Sequence, residues 1–183
     1  MKLTIASKVT IVRICLIPLF VLSYYLCPGT WKLVVPTILF CIASATDWVD
    51  GYLARSRNEV TNFGKFMDPI ADKLLVEAAF VLLVSDGRMS AVSCIIILSR
   101  EFIISGFRLI AADNRVVLAA SWLGKIKTTT QIIAILLLLV DNFPFCSIGV
   151  PMHRIMEWVA VFFTVWSGVD YIVKNRAVLL DKE

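Results

Sequence analysis

Four aspartates, Asp47, Asp50, Asp68 and Asp72, fall within 26 consecutive residues of a chain that is 59% hydrophobic. Charge is expensive in or near a bilayer, so a cluster of it points to function. Four acids without four bases close by need another neutralising partner, and divalent cations serve well. Asp47 and Asp50 are three residues apart and share one face of a helix. Asp68 and Asp72 are four apart and share a face of the next. A connection from about 55 to 65 makes the two helices antiparallel neighbours, so the pairs can face each other across a small gap. Two hard cations about 4 Å apart would find enough oxygen ligands there. Oxygen-only ligation favours Mg2+ or Mn2+ over zinc.

Other residue types offer less chemistry. The single histidine, His153, stands beside Pro151 in an expected loop and reads as a surface residue. One histidine cannot build a multi-histidine metal site. The five cysteines, Cys15, Cys27, Cys41, Cys94 and Cys146, form no CxxC or Cys/His pattern and read as small buried hydrophobes. Metal and proton chemistry is left to the carboxylates.

The elements that carry these acids are apolar helices. The mean hydropathy of +0.84 is far above that of a soluble domain. Six apolar segments run near 9–27, 33–54, 66–84, 89–112, 124–141 and 153–173. The breaks carry turn signals such as Cys27-Pro28-Gly29 and Ser85-Asp86-Gly87. About 20 helical residues cross a hydrocarbon core, and helices satisfy their own backbone there. The expectation is an all-α integral membrane protein of six transmembrane helices, one domain over 1–183 with no soluble module. No small-residue cleavage site follows the first apolar run, so no removable signal peptide is expected.

Lys2, Lys8, Arg55, Arg57, Lys65, Arg115, Lys125, Lys127, Lys174, Arg176 and Lys182 share one side of this layout. Only Lys32, Arg88 and Arg154 fall on the other. Positive-inside bias then puts both termini, and the acidic cluster, at the cytoplasmic face of the cell's inner membrane. The net charge of +4 fits that topology and attraction to anionic headgroups. No basic stripe interleaved with exposed aromatics appears, so no nucleic-acid partner is expected.

Around the acids the sequence reads Asp47-x2-Asp50-Gly51-x2-Ala54-Arg55-x8-Gly64-x3-Asp68-x3-Asp72. Gly51 costs about 1 kcal/mol relative to alanine within a helix. Either close approach of a ligand or tight helix packing would account for it. This string resembles the signature of the CDP-alcohol phosphatidyltransferases, integral membrane enzymes of phospholipid synthesis, and matches it without departure. The resemblance implies a six-helix homodimer in which an acceptor hydroxyl attacks the β-phosphorus of a CDP-linked lipid and CMP leaves. By position it implies that Asp47, Asp50 and Asp68 ligate metal. Asp72 would be the general base, touching metal as well. Gly51, Ala54, Arg55 and Gly64 would line the CDP-lipid pocket, with Thr46 reaching the nucleotide.

Cations outside the signature bear on the acceptor. Arg100 lies within the fourth segment and needs a partner: Glu101, an aspartate of the cluster, or a phosphate on the acceptor. Arg108 is two turns further on. Lys125 and Lys127 open the fifth segment, where helix N-terminal amides also favour an anion. Both lysines also suit an ordinary cytoplasmic face. The strings Arg100-Glu101-Phe102 and Gly124-Lys125-Ile126-Lys127-Thr128, with Gln131, Thr10 and Arg13, look like the phosphatidylglycerophosphate-forming branch of the family. That branch takes CDP-diacylglycerol and glycerol 3-phosphate. Inositol phosphate, serine or a second lipid remain alternative acceptors. A divalent-cation transporter is a further alternative, although such a path would place polar groups at several depths.

Overall fold

The computed structural model describes the backbone of residues 5–29, 31–57, 62–113 and 121–176. Side chains at 5–10, 47–57, 62–69, 71, 72 and 113 lie outside the described set. Six α-helices make up most of it: α1 (Ile5–Leu26), α2 (Trp31–Arg57), α3 (Asn62–Ser85), α4 (Ala91–Asp113), α5 (Trp122–Leu139) and α6 (Met152–Lys174). A short 3-10 helix, Phe145–Ile148, precedes α6. Among the described residues there is no strand. Among the described residues two helices, Trp122–Leu139 and Met152–Lys174, are long and apolar enough to cross a membrane, and Ile11–Leu26 and Trp31–Thr46 are shorter apolar stretches.

Each apolar segment of the sequence coincides with one helix, but the helix ends differ. α2 runs on through Arg57 and α3 starts already at Asn62. Hydropathy marks the stretch of a helix that suits lipid, while the i to i−4 hydrogen bonding continues into polar residues beyond it. Gly64, expected ahead of the third helix, is therefore the third residue within it.

The chain forms two compact units, Met1–Ser85 with Leu139–Asp141, and Asp86–Leu138 with Asn142–Glu183. In the first, α1 packs along both α2 and α3, and α2 meets α3. The rings of Phe20 and Phe40 lie 6.0 Å apart at its centre. Ile17, Ala43, Leu75, Ala79, Phe80 and Leu83 are buried with them. The outward faces are apolar too, with Leu19, Leu22, Ile38 and Val81 exposed. When both faces of a helix are apolar, hydrophobicity sorts little, and shape and interhelical hydrogen bonds choose the packing.

The cysteines illustrate this. Only Cys94 is buried; Cys15, Cys41 and Cys146 are exposed and Cys27 is half-buried. The expectation of five core thiols is corrected: a small apolar side chain suits such outward faces as well as the core.

In the second unit, α4 and α6 run parallel. Ser90 N–H at the head of α4 donates to Glu157 Oε1 at 3.0 Å, and Arg100 Nη2 donates to Ser167 Oγ at 3.1 Å. Both pairs are 67 residues apart in sequence, so the two helices keep register over about 15 Å. Ile104 and Phe107 of α4 pack on Tyr171 of α6, with the two rings edge to face at 5.9 Å. α5 joins α6 through Gln131 Nε2, which donates to Thr164 Oγ1 at 3.0 Å.

Between α5 and α6 the chain reverses through Asn142 (φ 64°) and Gly149 (φ 71°). Asn142 holds this corner: its Nδ2 donates to Val150 O at 2.7 Å, and its Oδ1 accepts the His153 N–H at 3.0 Å. His153 thus stands in the first turn of α6, half-buried, and not in an exposed loop. Asn tolerates the left-handed conformation better than other side chains do. Asn142→Ala loses both the side-chain bonds and that tolerance, so it should destabilise the chain by about 2–4 kcal/mol. Asn142→Gly should cost less, because it loses only the bonds. Thermal unfolding of the detergent-solubilised variants measures the order.

Candidate functional site

The four aspartates lie in the first unit, two on α2 and two on α3. Their side chains are among those not described, but their helical setting is. Asp47 precedes the end of α2 at Arg57 by ten residues, and Asp72 follows the start of α3 at Asn62 by ten. Asp50 and Asp68 are seven and six residues from the same two ends. At about 1.5 Å per residue the outer pair lies about 15 Å, and the inner pair about 10 Å, along each helix from the connection. Only residues 58–61 separate the helices, and α2 meets α3. Each pair thus sits at a comparable distance along its own helix from the connection. Gly51, Ala54 and Arg55 follow on α2, and Gly64 on α3, nearer the connection.

Thr46, one residue before Asp47, is half-buried. Its hydroxyl donates back to Ala43 O at 2.7 Å and Ile42 O at 2.9 Å. That arrangement satisfies its proton within α2.

The four cations expected to meet the acceptor all belong to the second unit, and the structure divides them. Arg100 and Lys127 come together on Glu101. Arg100 Nη1 donates to Glu101 Oε1 at 3.2 Å, and Lys127 Nζ donates to the same oxygen. Lys127 is only 6% exposed, which rules out an ordinary solvated lysine at this position. Two cations share one carboxylate oxygen here, on side chains that are largely shielded from water. Cations gathered in this way suit an anionic ligand.

Arg108 lies further along α4. Its Nε donates to the Tyr171 hydroxyl at 3.2 Å, and its guanidinium sits 5.4 Å from that ring's centroid. Lys125 stands apart, exposed, with Nζ 5.8 Å from the Trp122 ring centroid. Residues i and i+2 of a helix do not face the same way, so Lys125 and Lys127 cannot act as one pair. At the start of α5, Ser121 Oγ accepts the Gly124 N–H at 3.1 Å as an N-cap would, using one amide that the sequence offered to an anion.

Sequence reasoning missed the contribution of α6. Ser167 Oγ accepts a hydrogen bond from Arg100 Nη2, and its own hydroxyl donates to Thr164 O at 3.1 Å. Thr164 in turn accepts from Gln131 and donates to Ala160 O. A continuous chain of hydrogen bonds therefore links α4, α5 and α6. Its one visible signal was the run of polar positions, Thr164, Ser167 and Tyr171, at three- and four-residue spacing on an apolar helix.

Comparison with known proteins settles the class. Residues 3–166 match the family described as CDP-alcohol phosphatidyltransferase. The chain belongs to that family. A relative from Bacillus subtilis (strain 168) is 49% identical over 94% of this chain and 95% of its own. One from Escherichia coli (strain K12) is 41% identical, and one from Shigella flexneri serotype 5b (strain 8401) is 40% identical, each over the full length of both chains. All three carry the name CDP-diacylglycerol–glycerol-3-phosphate 3-phosphatidyltransferase.

CDP-alcohol phosphatidyltransferases generally depend on divalent cations. The donor set in this chain fits such an ion. Hard carboxylate oxygens are carried at helical spacing on two helices that meet, two residues on each.

The Arg100–Glu101–Lys127 trio makes its own forecast. Glu101→Gln leaves two buried cations without their carboxylate and should lower stability by about 3 kcal/mol. Lys127→Met added to it should recover part of that loss. Thermal midpoints of the single and double variants, combined as a double-mutant cycle, measure the coupling.

Proposed function

We propose that this chain transfers the phosphatidyl group of CDP-diacylglycerol to sn-glycerol 3-phosphate, forming phosphatidylglycerophosphate and CMP. The observation that carries the reading is an unbroken aspartate signature in a chain alike, from end to end, to relatives named for that reaction. The buried cation pair around Glu101 adds support, because it suits an acceptor that brings its own phosphate. A serine acceptor would have less use for it.

In this reading Asp47, Asp50, Asp68 and Asp72 would hold two divalent cations, Mg2+ or Mn2+. These ions supply neutralisation for the pyrophosphate and for the charge that develops on departing CMP. Asp72 accepts the proton of the acceptor hydroxyl as its oxygen bonds to the β-phosphorus. The bond from that phosphorus to the oxygen bridging toward the α-phosphate breaks, and its electron pair leaves with CMP. Gly51, Ala54 and Gly64 keep the helix surfaces low so the nucleotide can approach. Arg55 and Thr46 contact its phosphate and nucleoside portions. Arg100 and Lys127 bind the acceptor phosphate, helped by Arg108. Lys125 is the weakest member of the set, given its separate and exposed position.

The setting belongs to the same proposal. Six membrane spans, both termini on the cytoplasmic side of the inner membrane, one functional domain and a homodimer complete it. A membrane-held donor and a water-soluble acceptor can then meet at the cytoplasmic face. The lysine and arginine bias supports that orientation.

Purified protein supplied with CDP-diacylglycerol and a panel of acceptors should turn over glycerol 3-phosphate, with Mg2+ or Mn2+ restoring activity after chelation. Turnover with inositol phosphate or serine but none with glycerol 3-phosphate would replace the acceptor. Metal flux into liposomes without any need for CDP-lipid would replace the chemistry. Asp72→Asn should reduce turnover by about three orders of magnitude or more, near the upper part of the range for general base catalysis. CDP-lipid binding should survive in that variant, and retained turnover would refute the base.

A further inference from the structure

Arg100 would be a poor recognition element if it were free to swing. A guanidinium on three methylenes has many rotamers, and fixing them costs entropy at each binding event. The structure shows how this side chain is held. Its stem lies directly on the backbone of α6 at Gly168: a methyl placed there would meet Arg100 Cγ at 3.0 Å and Nε at 3.7 Å. Gly168 is buried and helical, so a side chain there would fill the space that the arginine occupies. One residue earlier, Ser167 is fully buried and accepts from Nη2. Because the Ser167 hydroxyl proton is committed to Thr164 O, its oxygen faces the guanidinium as a fixed acceptor. Glu101 takes Nη1. The plane of the group is thus set from two helices.

We propose that Ser167 and Gly168 of α6 are positioning residues for the acceptor alcohol phosphate. They seat the Arg100 guanidinium beside Lys127, so that both cations meet the phosphate without further ordering. Neither residue needs to touch substrate. Gly168 provides room for the stem, and Ser167 fixes the rotation of the head. The proposal rests on the reading above that Arg100 and Lys127 take the acceptor phosphate. It makes α6, which carries none of the aspartates, a determinant of acceptor affinity.

Steady-state kinetics of the full-length protein in mixed micelles test it, with each substrate varied in turn. Ser167→Ala should raise the KM for glycerol 3-phosphate about tenfold, in keeping with loss of a hydrogen bond to a charged group. The KM for CDP-diacylglycerol and kcat should stay within about twofold. Ser167→Thr, which keeps the hydroxyl, should restore the KM substantially. Gly168→Ala should produce the same selective rise by displacing the Arg100 stem. If Gly168→Ala fails to fold, the serine pair decides alone. An unchanged acceptor KM in Ser167→Ala overturns the proposal. So does an equal effect on both substrates, or a threonine variant as impaired as the alanine one. Arg100→Lys separates the two levels of the argument. If it raises the acceptor KM while the α6 variants do not, the seat is wrong and the phosphate reading stands. If Arg100→Lys and Lys127→Ala also leave that KM unchanged, the phosphate reading itself fails.

Discussion

Charge inside an apolar helical body must be answered from within that body, and the structure of this chain is organised around that constraint. The clearest case is Glu101, whose Oε1 receives both Arg100 and Lys127. Removing Glu101 would take from both cations the carboxylate they share, at a place where water cannot readily replace it. The same rule explains Glu157, buried on α6, which accepts the Ser90 N–H and pairs with Arg154 at 3.1 Å. It also explains the hydroxyls of Ser23, Thr37, Thr128 and Thr129, each of which donates to a carbonyl of its own helix. Polar groups that find partners locally ask nothing of the packing. Those that reach across helices fix it.

Packing follows from this. With apolar side chains on the outward faces as well as in the core, no hydrophobic gradient dictates which face of a helix turns inward. In the second unit the choice is made by specific bonds: Ser90 to Glu157, Arg100 to Ser167, Arg108 to Tyr171, Gln131 to Thr164. These bonds set α4 and α6 parallel and in register. They also leave Arg100 and Lys127 side by side, so the contacts that hold the unit together are the contacts that shape its cationic site. Stability and recognition are therefore coupled there. In the first unit the elements are simpler, with α1 lying along α2 and α3 and two aspartates carried on each of the latter.

A great deal of this was legible in the sequence, because helical periodicity and hydropathy are local properties. The six apolar stretches became six helices, and the spacing of Asp47, Asp50, Asp68 and Asp72 placed them in pairs before any coordinates. Family membership was legible too, since the signature is a short string carried by two consecutive helices and a brief link. Helix ends were less so: Arg57 and Asn62 are polar, and composition alone gave no reason to continue α2 and α3 to them. His153 was misplaced for a similar reason. Pro151 suggests a loop, but Asn142 reaches eleven residues along the chain to close the first turn of α6.

By itself, then, the sequence determined the all-helical class, the positions of the acids along their helices and the family to which the chain belongs. Each of these depends on neighbours in the chain. Tertiary structure alone decided which cations act together. Lys127 is 26 residues from Glu101, and Ser167 is 67 from Arg100, so their meetings depend on helix register and rotation. Two lysines that looked equivalent, Lys125 and Lys127, were separated by a rotation of two residues about α5. One became exposed beside Trp122, the other buried on a shared carboxylate. The physical reason is that helix propensity is set by the chain, while the direction a helix face points is set by whatever bonds cross to it.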